Sequence, residues 1–224
     1  MARNFAGTSY VEVTVAEDLS AYTMAFVCKL SGAQDLFGGI MSFRTGATER
    51  YNLRWDASSP SKMDLDDQGG FNADSVFATD ADSWQLLGIT KVAGSATPRF
   101  HMYVYDTGTW THGAGSGAIG DQGTAGTVIR LCSNGSGNTL GDVACMGYWI
   151  HSMGDGEFER LTDRRWGMLG AKGFWDFGAR NGYHNASSMM RDRGWARADQ
   201  TSKSGTMAIS TTQPPGPRAH RWSW

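Results

Sequence analysis

Up to about residue 152, apolar and polar side chains alternate in short runs. In SYVEVTV, Val11, Val13 and Val15 fall on one side and Tyr10, Glu12 and Thr14 on the other. AYTMAFVCKL carries its larger apolar set at Tyr22, Met24, Phe26, Cys28 and Leu30. ERYNLRWD sets Tyr51, Leu53 and Trp55 against Arg50, Asn52 and Arg54, and KMDLDD alternates Met63 and Leu65 with Lys62, Asp64 and Asp66. SWQLLGITKV, RFHMYVYD, TVIRLC and GDVACMGYWI are further strand candidates, separated by Gly, Ser, Asp and Thr clusters. A period of two describes half-buried strands, one face packed and one wet. Many short strands with glycine-rich turns predict an all-β chain, an antiparallel β-sandwich or jelly roll.

The period then changes. GDGEFERLTDRRWGML spaces Phe158, Leu161, Arg165 or Trp166, and Leu169 at three to four, which predicts one short helix with its Phe158/Leu161 stripe on the sandwich. Asp155 offers an N-cap, acids crowd the first turn, and Gly170 follows the last. Beyond it no clear period returns. GFWDFG reads as a short strand, and the rest as an irregular arm with room for one short strand pair. The chain thus divides into a sandwich domain, residues 1–170, and an arm, residues 171–224, too long to be an ordinary loop.

Charge follows the same division. The formal net charge is -2 overall, but residues 1–154 are acidic and residues 155–224 are basic. Such a balance gives no expectation of nucleic acid as a partner. The arm holds Trp175, Trp195, Trp222 and Trp224, with Phe174, Phe177, three methionines and more Arg than Lys. Trp, Met and Arg are the types enriched in interface cores and hot spots. Trp195, Arg218, Arg221, Trp222 and Trp224 are therefore the expected protein-interface residues, contacting neighbouring subunits or the chain's own acidic body. In TTQPPGPRAHRWSW, residues 211–224, the prolines stiffen a strap that extended would reach about 40–45 Å.

Cys28, Cys132 and Cys145 are too few and odd in number for a disulfide framework, and each sits in an apolar run. The opening MARNFAGTSYVEV lacks an apolar signal core, and no apolar stretch is long enough to span a membrane. The expectation is a chain folded in a reducing cytosol, without membrane insertion.

The order of these features resembles a known family. FAGTSYVEVTVAEDLSAYTMAFVCKL is similar to the opening of laminin-G-like, concanavalin A-like jelly rolls. WQLLGITKV resembles their central strand, beginning at Trp84, and PRFHMYVYDTGTW their following hairpin, with Asp106 and Gly108 at the turn. GDVACMGYWIHSMGDGEFERL is similar to their closing strand and helix. The segment from GFWDFG to the Pro-Pro ending resembles one that follows such domains in tailed-phage proteins. The resemblance implies a bacteriophage virion protein made in the host bacterial cytoplasm. It would be a non-enzymatic accessory capsid protein (decoration or minor capsid) or a minor tail protein. Its partners would be major capsid or tail subunits and further copies of itself, held through the arm. The alternative is a tail adhesin recognising host-surface glycans.

Candidate chemistry is sparse. Glycoside hydrolysis needs two carboxylates across the scissile bond. Asp64 and Asp66 share one strand face about 7 Å apart, but read as a solvated face beside a turn. Glu157 and Glu159 read as partners of the helix dipole. No Ser/His/Asp set stands out, and a Cys/His dyad would need an exposed thiol. No catalytic residue is therefore expected. The resemblance implies that calcium could sit at the sandwich rim; Asp106, Asp121 and Asp142 lie near loops, but no spacing selects among them. The five histidines, His101, His112, His151, His184 and His220, are scattered and show no zinc spacing. No cofactor is expected, and the metal ligands stay unassigned. GSGAIG, residues 115–120, reads as a flexible connection and not a nucleotide loop, because more loop follows it. Trp110, at a hairpin tip, is the candidate for stacking on a sugar, or for capping the core.

Overall fold

A computed structural model describes residues 2–5, 10–17, 19–32, 34–45, 48–56, 58–59, 61–67, 70–120, 126–132, 139–163, 170–177, 200–204 and 208–210. The strands, in chain order, are β1 (Ala2–Phe5), β2 (Tyr10–Glu17), β3 (Tyr22–Leu30), β4 (Gly39–Thr45), β5 (Thr48–Trp55), β6 (Met63–Asp67), β7 (Asn72–Asp74), β8 (Trp84–Lys91), β9 (Arg99–Val104) and β10 (Thr109–Ala114). They continue with β11 (Gly126–Leu131), β12 (Gly141–Trp149), β13 (Gly173–Asp176), β14 (Gln200–Ser204) and β15 (Ala208–Ser210). The helix α1 (Asp155–Phe158) runs into a 3-10 turn, Glu159–Asp163.

Two antiparallel sheets form a sandwich, as the alternation predicts. Sheet A is ordered β10-β9-β8-β3-β12-β1-β15, with β13 beside β12 as its eighth strand. Sheet B is ordered β14-β2-β11-β4-β5-β6-β7. Every predicted strand forms. Inward-facing side chains from both sheets make one core, including Met24, Phe26, Phe43, Tyr51, Leu53, Trp55, Leu65, Leu87, Ile129 and Tyr148. Aromatic pairs bridge the layers: Tyr22 with Tyr51 at 4.9 Å, Phe43 with Tyr148 at 5.3 Å, and Phe26 edge-on to Trp55 at 6.4 Å between centroids. The buried Trp55 indole N–H donates to Thr139 Oγ1 (3.0 Å), whose hydroxyl donates to the Gly39 carbonyl.

One expectation needs correction. Sheet A is not wet on its outer face. β3 and β8 are buried along nearly their whole length. The second side-chain set of β3, Ala25 and Val27, joins Trp84, Leu86, Trp149, Phe158 and Leu161 in a separate cluster. The segment after β12 folds back across the sheet, so both faces of its centre are dry. The smaller residues of β3 are the ones under the helix, where bulk would hold it off. A register shift between Val143 and Cys145 puts both Ala144 and Cys145 on that outer side.

The helix also differs in detail. Phe158 and Leu161 are buried as expected, but the N-cap is Gly154, with no side-chain cap bond, and Asp155 is the first helical residue. Residues 164–169 lie outside the described residues.

Parts of the arm join the sandwich. β13 pairs with Cys145–Tyr148 of β12, sending Trp175 and Phe177 into the central core and Phe174 into the outer cluster. β14 pairs with β2 in sheet B, and β15 pairs with β1 in sheet A. Ser204 thus pairs with Tyr10 in sheet B, and Ala208 with Asn4 in sheet A.

Candidate functional site

The outer face of sheet A near its β10 edge gathers more chemistry than any other described part of the chain. Register builds it. His101 and His112 are direct partners across the β9–β10 hairpin, as are Tyr103 and Trp110. Gly88 of β8 is opposite His101, and Leu86 opposite Tyr103. Directly opposed side chains on one face lie within contact distance of each other. An aromatic row results: Tyr105 to Tyr103 at 5.0 Å, Tyr103 to Trp110 at 4.8 Å, and Trp110 stacked on His112 at 5.1 Å and 13°. Trp110 lies in β10, just past the turn, and is half-buried against the outer cluster. It has one face against His112 and a Phe158 edge 6.2 Å away.

Gly88 makes room for the helix. A Cβ there would lie 2.6 Å from Phe158 Cζ and 2.3 Å from the Met24 carbonyl oxygen. Phe158 fills the space and stacks on His101 at 4.1 Å and 13°. That docking carries Asp155, the first residue of α1, and Glu159, the first of the 3-10 turn, to the histidine pair.

The polar groups interlock. His101 Nδ1 lies 2.8 Å from His112 Nδ1. His101 Nε2 lies 3.1 Å from Thr90 Oγ1, and His112 Nε2 lies 3.3 Å from Glu159 Oε1. Arg99 donates to both carboxylate oxygens of Asp155. Burial, reinforced by the neighbouring His112, pushes the pKa of His101 down to about 3. The Arg99 hydrogen bond holds the Asp155 carboxyl below its usual value, against some desolvation. His101, His112 and Asp155 form a group whose metal-ligating atoms all lie within 4.8 Å of one another. The histidines scattered along the sequence are thus partly gathered by the fold. The missed signal was the turn: residues 101 and 112 are equally far from its centre in RFHMYVYDTGTWTH.

The outer face of sheet B carries a second polar cluster. Arg54 lies between Asp64 (Nε to Oδ2, 2.7 Å) and Asp66 (Nη1 to Oδ2, 3.0 Å). Asp64 is not on a solvated face, as its sequence setting implied; it is 1% exposed. Burial raises its pKa to about 6, against the opposing pull of Arg54. Asp64 Oδ1, Asp74 Oδ1, Asn52 Oδ1 and Ser42 Oγ are buried on this face without a hydrogen-bond partner among the described residues. Phe37 lies under the Arg54 guanidinium at 4.9 Å.

Other candidates disperse. Asp106 is exposed in the β9–β10 turn, Asp142 is the second residue of β12, and Asp121 lies outside the described residues. The three cysteines are buried, and burial pushes the Cys28 and Cys132 thiols well up. Residues 115–120 connect onward from β10 but are tied down: Gly120 N–H donates to Asp67 Oδ2 (2.7 Å), and Tyr51 O–H donates to the Gly120 carbonyl. Trp195, Arg218, Arg221, Trp222 and Trp224 lie outside the described residues. So do His184 and His220. No described helix is long and apolar enough to cross a membrane.

No protein-family model matches the sequence, and no curated protein matches it. Solved structures do. A candidate carbohydrate-binding protein from Bacteroides ovatus aligns with a TM-score of 0.63 and 14% identity, over 96% of this chain and 61% of that one. This chain therefore spans under two thirds of that relative's length. The heptameric SAP-like pentraxin of Limulus polyphemus aligns with a TM-score of 0.54 and 13% identity, over 94% and 95% of the two chains. The full-length tailspike protein 2 of Escherichia coli O157:H7 bacteriophage CAB120 aligns at 0.49 and 15% identity, over 75% of this chain and 24% of that one. At these identities the likeness is one of fold: an all-β jelly-roll sandwich with one short helix.

Proposed function

We propose that this protein is a non-enzymatic recognition module of a virion and that the aromatic edge of sheet A binds glycan. The observation that carries this reading is the partly exposed row Tyr105, Tyr103 and Trp110, flanked by the charged groups of Arg99, Asp155 and Glu159. Aromatic faces beside a few fixed polar groups suit sugars, which present C–H faces and hydroxyl rims. The sandwich likeness to a candidate carbohydrate-binding protein fits this reading. The virion setting is supported by the resemblance of the arm to segments that follow such domains in tailed-phage proteins. Two features favour binding over catalysis. Arg54 ties Asp64 and Asp66 together, and the cysteines are sealed in the core.

The test is a glycan array with wild type and Trp110→Ala. Expected are a defined set of bound glycans and at least a tenfold weaker signal for the variant. Equal binding by both proteins would remove Trp110 from the site. Wild type silent on every glycan, yet present on particles, would favour the other reading. In that reading the protein is an accessory capsid or minor tail component, fastened by residues 211–224. It is favoured by β15, which brings the chain to the margin of sheet A at Ser210, where the Trp/Arg-rich strap follows.

A further inference from the structure

We propose that His101, His112 and Asp155 form a binding site for a divalent zinc-class cation, with water at its open position. The geometry is nearly preformed. The two Nδ1 atoms are 2.8 Å apart, and they lie 3.7 and 3.8 Å from Asp155 Oδ1. A triangle with those sides has a point about 2.0 Å from every corner, which is the Zn–N and Zn–O bond length. Tetrahedral spacing at that bond length, about 3.3 Å between donors, is reached when the histidine pair opens by about 0.5 Å and Asp155 Oδ1 moves closer to both by about as much. The donor set, two imidazoles and a carboxylate, suits zinc and its neighbours and not calcium, which takes six or more oxygens.

The outer hydrogen bonds orient these donors. Glu159 accepts from His112 Nε2, which fixes that proton on Nε2 and leaves a lone pair on Nδ1. Thr90 can donate to His101 Nε2 or accept from it. Without a cation, Thr90 donates and His101 Nδ1–H points at His112 Nδ1. With one, the His101 proton moves to Nε2 and is accepted by Thr90, so both Nδ1 lone pairs face the ion. The tautomer shift releases no net proton. Histidine ligands are commonly held by such an outer carboxylate or hydroxyl. Arg99 anchors the Asp155 carboxylate in place.

The site shares Asp155 and Glu159 with the polar groups beside the aromatic row, but its test reads cation binding and not glycan binding, so either reading can fail without the other. The experiment uses the full chain, stripped with a chelator and titrated with ZnCl₂ by calorimetry, and with CoCl₂ by visible absorption. Expected are one ion per chain and a cobalt d–d spectrum. His112→Gln and Asp155→Asn should each weaken binding at least 100-fold, and Glu159→Gln by 10- to 100-fold. Circular dichroism checks each variant's fold. Asp155, on the surface, is the variant to read if His112→Gln misfolds. Folded wild type that binds no zinc at 100 μM, or unchanged affinity in a folded Asp155→Asn variant, would overturn the proposal.

Discussion

His101 and His112 face each other across the β9–β10 hairpin with their Nδ1 atoms 2.8 Å apart. The pair has a consequence for acid stability. His101 is held neutral in the fold down to about pH 3, while in the unfolded chain it protonates near its ordinary value of 6.5. Between those values the unfolded chain binds more protons. The stability it contributes is therefore present above pH 6.5 and is lost as pH falls toward 3. Asp64 works in the opposite direction. Its pKa is raised from 3.8 to about 6, so its contribution is present below 3.8 and lost as pH rises through about 6. Urea midpoints measured from pH 7 to pH 4 should therefore fall more shallowly in His101→Gln than in wild type, and more steeply in Asp64→Asn. Parallel slopes in all three proteins would contradict both assignments.

Gly88 should tolerate no side chain. Its Cβ would meet the Met24 backbone carbonyl and the Phe158 ring, and the carbonyl belongs to the central strand β3. Gly88→Ala is expected to cost about 3 kcal/mol in urea unfolding, at the upper end for overpacking. It should also displace Phe158 from His101, seen as altered near-ultraviolet dichroism. A change below about 0.5 kcal/mol would mean that the helix does not dock there.

Arg54 neutralises a buried carboxylate. Its side chain is 15% exposed and that of Asp64 only 2%. Arg54→Met leaves Asp64 uncompensated and should cost about 3–5 kcal/mol. Adding Asp64→Asn removes the stranded charge and should recover a large part of that loss. If the two changes simply add, the residues are not energetically coupled.

The strap can be tested without knowing its conformation. Deleting residues 211–224 removes no described strand. The truncated protein should keep its unfolding midpoint. If the strap fastens the module to a particle, occupancy on virions should drop. Equal occupancy of truncated and full-length protein would place the attachment elsewhere.

What the sequence determined by itself was the local backbone. A period of two at Val11–Val15, Tyr51–Trp55 and Met63–Leu65 marks strands, because side chains must alternate about a pleated chain. The shift to a period of three to four at Phe158 and Leu161 marks the helix, and the apolar settings of the cysteines foretold their burial. Only the tertiary structure decided which faces were dry. Ala25 and Val27 are small apolar residues that fit either a wet or a covered face, and the docked helix covers them. Asp64 looks like any strand-surface acid until Arg54 of the adjacent strand pairs with it. The His101–His112–Asp155 group depends on two distant events. One is a hairpin register that opposes the histidines. The other is the absence of a side chain at Gly88, which lets Phe158 bring Asp155 within reach. Alternation is set by neighbours along the chain, whereas convergence is set by which surfaces meet, and no local pattern records that.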